Sequence, residues 1–252
     1  MSSVGYSVSE SVATITLDSP RRRNALSGEL LAQLRGHLDA AETDPSVRTV
    51  VLSHAGPVFC SGMNLSTVTD VPAADQPIVA FPQLLQRLWE FGKPVIARID
   101  GKARAGGIGL VAACDIAIAA EHADFAFTEV RLGLVPAVIS VPVLPRLLPR
   151  AVLELCLTGE TFDARRAQQI GLLTVVADDL DAEVARYAAL LRQGEPNALA
   201  ATKAMLLREP GGRSMAEDFA AMGQLSARYF ASPEAAEGIA AFTAKRPPSW
   251  AG

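Results

Sequence analysis

The sequence predicts a mixed α/β core followed by an all-helical tail. Two patterns predict it. In the first two-thirds, short strand-like runs alternate with helix-like runs; from about residue 178, four helical patterns follow with no strand between them. A third observation is the segment GKARAGGIGLVAACDIAIAA at residues 101–120, where small residues follow a buried strand and lead into an apolar run long enough for a helix. Backbone amides at such a junction are free to face something negative.

Each element has its own justification. VATITLD (12–18) alternates with period two, placing Ala13, Ile15 and Leu17 on one face. After the turn SPRRRNAL, a helix from about Ser27 to Ala41 carries Leu30, Leu31, Leu34 and Leu38 at helical spacing, with Ser27 as its N-cap. VRTVVLS (47–53) reads as a strand and HAGPVFCSGMNL (54–65) as a loop. PIVAFPQLLQRLWEF (77–91) reads as mainly helical, PVIARID (94–100) as a buried strand, and DIAIA (115–119) and DFAFTEV (124–130) as further strands. The pairing predicted is mainly parallel. In the tail, the helical patterns begin near residues 180, 196, 214 and 232, and Asp181, Ser214 and Ser232 are caps for three of them. A catalytic core over residues 1–194 and a helical region over 195–252 follow.

Composition narrows the function classes. Half of the 252 residues are hydrophobic, and the formal net charge is −4 without a basic block. That balance argues against nucleic acid as the main partner. No basic-then-apolar leader opens the chain, and the run IGLVAACDIAIAA is broken by Asp115 and too short to span a bilayer, so no membrane association is expected. The three cysteines, Cys60, Cys114 and Cys156, lack ligand spacing and fit a reduced, cytoplasmic protein. With His37, His54 and His122 isolated from one another, no metal-ligand set is expected.

The glycine segment has several readings. A Walker loop fails, because Gly107 and Ile108 stand where Lys and Ser or Thr are needed. A dinucleotide loop is a poor fit to glycines spaced G-G-x-G so deep in the chain. The glycines could instead serve only close helix–strand packing. The remaining reading is an oxyanion hole, in which backbone N–H groups stabilise charge developing on a thioester oxygen. It needs a second donor, and the small-residue turn at Ser61-Gly62 is the candidate.

Four ordered motifs, RRRNALS (21–27), VFCSGMNL (58–65), AGGIGLVAACDIAIA (105–119) and TEVRLGLVP (128–136), resemble the crotonase superfamily, the enoyl-CoA hydratase/isomerase family, over essentially the whole chain. The resemblance implies a spiral of strand–strand–helix units with a C-terminal helical oligomerisation region that builds homotrimers or homohexamers. It implies N–H donors at Met63 and Gly106, flanked by Gly62 and Gly107, and an acid/base at Glu129. Coenzyme A recognition maps to Arg23, Asn24, Ala25 and Leu26, to Asn64, Leu65 and Ser66, and to Phe242 and Lys245. The coenzyme belongs to the substrate, so no separate cofactor is implied.

Departures from the family pattern shape the expected reaction. Gly109 stands where two-glutamate hydratases carry their first Glu, which leaves Glu129 as the single carboxylate. Residues Pro136 to Ser140 replace a glycine-rich stretch, and Arg104 and Ala105 depart from the usual run before the glycines. Glycine at position 109 with EVRLGL and PAVIS resembles the methylglutaconyl- and isohexenylglutaconyl-type hydratases. The expectation is a lyase adding water to a 2-enoyl-CoA thioester. A Δ3,Δ2-enoyl-CoA isomerase and a non-catalytic acyl-CoA-binding paralogue are the alternatives.

Overall fold

The structure, a computed structural model, describes residues 3–63, 77–207 and 232–250; the side chains of residues 77–79, 242 and 243 also lie outside that description. The chain divides into two compact units, Met1–Ala188 and Ala189–Gly252.

The first unit is built on two sheets. The larger one has the strand order β1-β2-β3-β5-β7-β10: β1 (Val4–Ser9), β2 (Val12–Leu17), β3 (Thr49–His54), β5 (Val95–Ile99), β7 (Ile116–Ala120) and β10 (Val175–Ala177). Only the β1–β2 pair is antiparallel. The smaller sheet has the order β4-β6-β8-β9: β4 (Val58–Cys60), β6 (Lys102–Arg104), β8 (Asp124–Ala126) and β9 (Phe162–Asp163). Its first three strands are parallel and β9 runs against β8. The chain sends one strand to each sheet in turn, β3 then β4, β5 then β6, β7 then β8. Helices α2 (Pro77–Trp89) and α3 (Gly106–Ala113) complete the first two of these turns. This is the predicted spiral of ββα units.

Local chemistry accounts for the elements. β2 buries Ala13, Ile15 and Leu17 completely, as its alternation requires, while all six residues of β3 are buried because β3 lies inside the large sheet. Helix α1 (Gly28–Thr43) starts where the Ser27 hydroxyl accepts the Leu30 N–H, and it buries Leu30, Leu31, Leu34 and Leu38. Helices α4 (Ala137–Val143), α5 (Pro149–Thr158) and α6 (Ala164–Gln169) follow, and α4 packs on α3. α7 (Leu180–Arg192) then closes the first unit.

Several expectations need correction. Residues 54–65 contain the short strand β4, and β6 and β1 were likewise not anticipated. Strand β8 stops at Ala126 instead of continuing to residue 130, and Glu129–Leu132 forms a single 3-10 turn. Gly133, in the left-handed region at φ 71°, closes that turn by donating its N–H back to it. The cap of α7 is Asp179, whose carboxylate accepts the Ala182 N–H at 3.0 Å. Asp181 lies within the first turn and pairs with Arg98 instead.

In the second unit, α8 (Pro196–Leu207) is capped by Glu195 and α9 (Pro233–Thr243) by Ser232, which accept the Ala198 and Ala235 N–H groups. The Trp250 indole donates to the Gln193 carbonyl at 3.0 Å, and its ring lies over Gly238. The helical pattern at 214–230 and its cap Ser214 lie outside the described residues.

Candidate active site

The three segments expected to carry chemistry all leave the small sheet from the same edge. β4, β6 and β8 are adjacent and parallel, and their C-terminal ends continue into Ser61–Met63, Ala105–Gly106 and Phe127–Glu129 respectively. Ligands of parallel sheets bind beyond the C-terminal strand ends, where loops can diverge and amides are exposed.

The first donor segment is fixed by its backbone. Gly62 has φ +89°, a conformation open to glycine and strained for other residues. Its carbonyl accepts the Leu26 N–H at 2.8 Å, while the Ser61 N–H donates to the Arg23 carbonyl. Leu26 and Met63 thus form an isolated parallel bridge. That bridge uses the Gly62 carbonyl and leaves the Met63 N–H outside it. The approach to the second segment is close: a Cβ on Gly62 would stand 3.0 Å from the Ala105 Cβ and 3.4 Å from the Gly106 nitrogen.

The second donor opens α3. Ala105 precedes it at φ 48°, ψ −116°, a region sparsely used by residues with a side chain and costing about 1–3 kcal/mol. Its N–H donates to the Ala126 carbonyl and its own carbonyl accepts from Ile108, so the strained turn is held from both sides. Among the described residues, neither the Met63 nor the Gly106 N–H has a hydrogen-bond partner. The helix N-terminus adds partial positive charge at the same point. Gly107 serves packing: a Cβ there would meet the Cys60 carbonyl at 2.6 Å. The glycine segment thus joins close packing at Gly107 to a Gly106 N–H with no partner among the described residues, which is the arrangement that an oxyanion hole would require.

Glu129 opens the 3-10 turn that follows β8. It is half-buried, and its Oε2 is buried without a hydrogen-bond partner. Burial raises its pKa above the ordinary 4.5, only partly offset by its own backbone N–H. Cys156, on α5, lies within its field: burial first and the Glu129 carboxylate second push that thiol up to about 11. Cys156 was not among the expected site residues, since a position 27 residues downstream on an unanticipated helix gave no signal.

Gly109 is buried, and the space its side chain would need is filled. A Cβ there would stand 2.6 Å from Ile139 Cγ2 and 3.5 Å from Leu85 Cδ1. Gly106 is bounded in the same way by Leu26 and Phe81, at 2.8 and 3.3 Å. The first two turns of α3 thus face an apolar wall. Ile139 lies in the 136–140 stretch that departs from the family pattern, but its contact with Gly109 joins α3 and α4, which no short motif links. Pro136 immediately precedes α4.

Of the predicted coenzyme-binding turn, Asn24 is wholly buried and its amide is fully engaged. Its Oδ1 accepts the Ser19 N–H, and its Nδ2 donates to the Ala55 and Val58 carbonyls. Asn24 therefore ties the 19–26 turn to the start of β4. Arg21, Arg22 and Arg23 are exposed, Ala25 is partly exposed and Leu26 is buried. Asn64, Leu65 and Ser66 lie outside the described residues, as does the side chain of Phe242; Lys245 is exposed in the second unit.

Two neighbouring groups have structural explanations. Cys60 is buried and its thiol is pushed up to about 12 by burial, which keeps it protonated. The His54 ring accepts the Asp100 N–H at Nε2 and packs edge-on against Phe59, and burial lowers its pKa.

Comparison with known proteins identifies the family. The family model for enoyl-CoA hydratase/isomerase matches residues 7–252. The 2,3-dehydroadipyl-CoA hydratase of Escherichia coli is 34% identical, with all of both chains covered. Among solved structures, an enoyl-CoA hydratase from Mycobacterium smegmatis superposes with TM-score 0.91 at 32% identity, and one from Mycobacterium avium with TM-score 0.75 at 43% identity; each comparison covers 99% of both chains. The spiral fold, the match along nearly the whole chain and these relatives together make the chain an enzyme of the enoyl-CoA hydratase/isomerase family.

Proposed function

We propose that the enzyme is a hydro-lyase that adds water across the 2,3 double bond of an enoyl-CoA thioester, with Glu129 as its single acid/base. The half-buried Glu129 carboxyl, with one oxygen unpartnered and its pKa raised, carries this reading. The thioester oxygen takes up negative charge at the Met63 and Gly106 amides. Glu129 accepts a proton from water as its oxygen bonds to C3, and delivers a proton to C2. An oxyanion donor of this kind is worth about 3–4 kcal/mol in the transition state. No cofactor is needed beyond the coenzyme A that the substrate carries, with Arg23 and Ala25 as its proposed contacts in the first unit.

A second reading, Δ3,Δ2-enoyl-CoA isomerisation, is favoured by Ile139, which fills the place of a second carboxylate. One base suffices to move a proton from C4 to C2. For assembly we propose a homotrimer or a pair of trimers. Its support is a band of exposed apolar residues that includes Val141, Leu144, Leu148, Leu153 and Leu157, each more than half exposed.

The test follows conjugated enoyl-thioester absorbance, its loss with a panel of 2-enoyl-CoA substrates and its gain with 3-enoyl-CoA substrates, wild type against Glu129→Gln. Turnover that collapses by about 100-fold or more in the variant supports the hydratase. Turnover confined to 3-enoyl substrates selects the isomerase, and tight binding without turnover of either selects a non-catalytic binder.

A further inference from the structure

We infer that Ile139 is a specificity-determining residue, whose side chain over Gly109 limits the bulk accepted at the acyl α-carbon. The inference rests on the thioester reading above. Gly106 and Gly109 are three residues apart on α3, so they share a face and lie roughly 4.5 Å apart along its axis. A carbonyl oxygen on the Gly106 amide therefore places the first acyl carbons within about one helical turn of Gly109. What stands at that level is Ile139, with its Cγ2 2.6 Å and its Cβ 3.1 Å from the Gly109 Cβ position. Leu85 backs it at 3.5 Å, and both side chains are 4% exposed.

Two features make Ile139 the adjustable part of this wall. It is the nearest side chain to Gly109, and its branch at Cβ leaves it stiff, so it does not swing aside cheaply. It also stands on α4, which follows the Glu129 turn through Gly133 and Pro136. The residue that sets the space over α3 is thus carried by the segment that also carries the acid/base.

The experiment compares the binding of free coenzyme A, butyryl-CoA and 2-methylbutyryl-CoA by titration calorimetry to wild type, Ile139→Val, Ile139→Leu and Ile139→Ala. These saturated thioesters do not turn over. The expected result is a rise in the affinity ratio of 2-methylbutyryl-CoA to butyryl-CoA of about tenfold or more in Ile139→Ala. Ile139→Val keeps both Cβ and Cγ2 and is expected to hold the wild-type ratio, with free coenzyme A bound equally by all four proteins. Ile139→Leu removes the Cγ2 branch at nearly constant volume, should raise the ratio in the same direction, and keeps the result readable if Ile139→Ala does not fold. An unchanged ratio in folded Ile139→Ala or Ile139→Leu that binds both thioesters overturns the role of Ile139 and leaves the thioester reading standing. Failure of wild type to bind any acyl-CoA overturns both.

Discussion

The two sheets of the first unit divide the work between them. The large sheet holds the longer strands: β3 has six residues, all buried, and the ends of its strands meet other parts of the scaffold. In the small sheet, β4, β6 and β8 have three residues each, yet the Met63, Gly106 and Glu129 segments all begin where those strands end. A long strand is stabilised by its own ladder and burial. A short one is held by what lies around it, which leaves its exit free to take unusual backbone such as Gly62 and Ala105.

That division can be broken at either sheet. The largest effect is expected from Gly62→Ala, which places a Cβ at φ +89° and 3.0 Å from Ala105. Steady-state assay should show kcat/KM lower by about 100-fold or more, because the Met63 amide loses its aim. Leu52→Ala in the large sheet should do the reverse. It empties a site that is 1% exposed and lowers unfolding free energy by about 2–5 kcal/mol, with kcat of the folded protein retained. A variant that lost both in parallel would show that the sheets are not separable.

Smaller effects sharpen the contrast. The Glu129 pKa is raised in the folded protein, so its favourable contribution is complete below 4.5 and is lost as pH rises through the raised value. Glu129→Gln removes that loss and should raise the thermal midpoint at neutral pH, while lowering turnover by about 100-fold or more. His54, at the end of β3, has a lowered pKa: its contribution is present above 6.5 and is lost as pH falls through the folded value. His54→Gln should therefore flatten the decline in stability on acidification below 6.5, read from denaturant melts at several pH values.

The same contrast explains what was legible in the sequence. β2 announces itself by its alternation, β5 by its apolar run and α1 by its spacing and the Ser27 cap, whereas β1, six residues long with only Val4 buried, carries no such pattern. Three-residue strands carry no period, so β4 was read as loop and β6 passed unnoticed. The turn that Gly133 closes was not legible either, since residues 124–130 read as one strand. The stretch that holds Ile139 was legible as a departure, but its contact with Gly109 was not, nor was the charge field at Cys156. Both join distant segments, and no local pattern records them.

The pairing of Gly109 with Ile139 has a consequence for how such a site could change over generations. A glutamate introduced at 109 alone would collide with a stiff neighbour at 2.6 Å, so that step is barred while Ile139 stands. Shrinking residue 139 first opens a void, which is destabilising but survivable, and a carboxylate could then enter it. The route to a carboxylate at position 109 is thus ordered, and the protein crosses it only with stability in reserve.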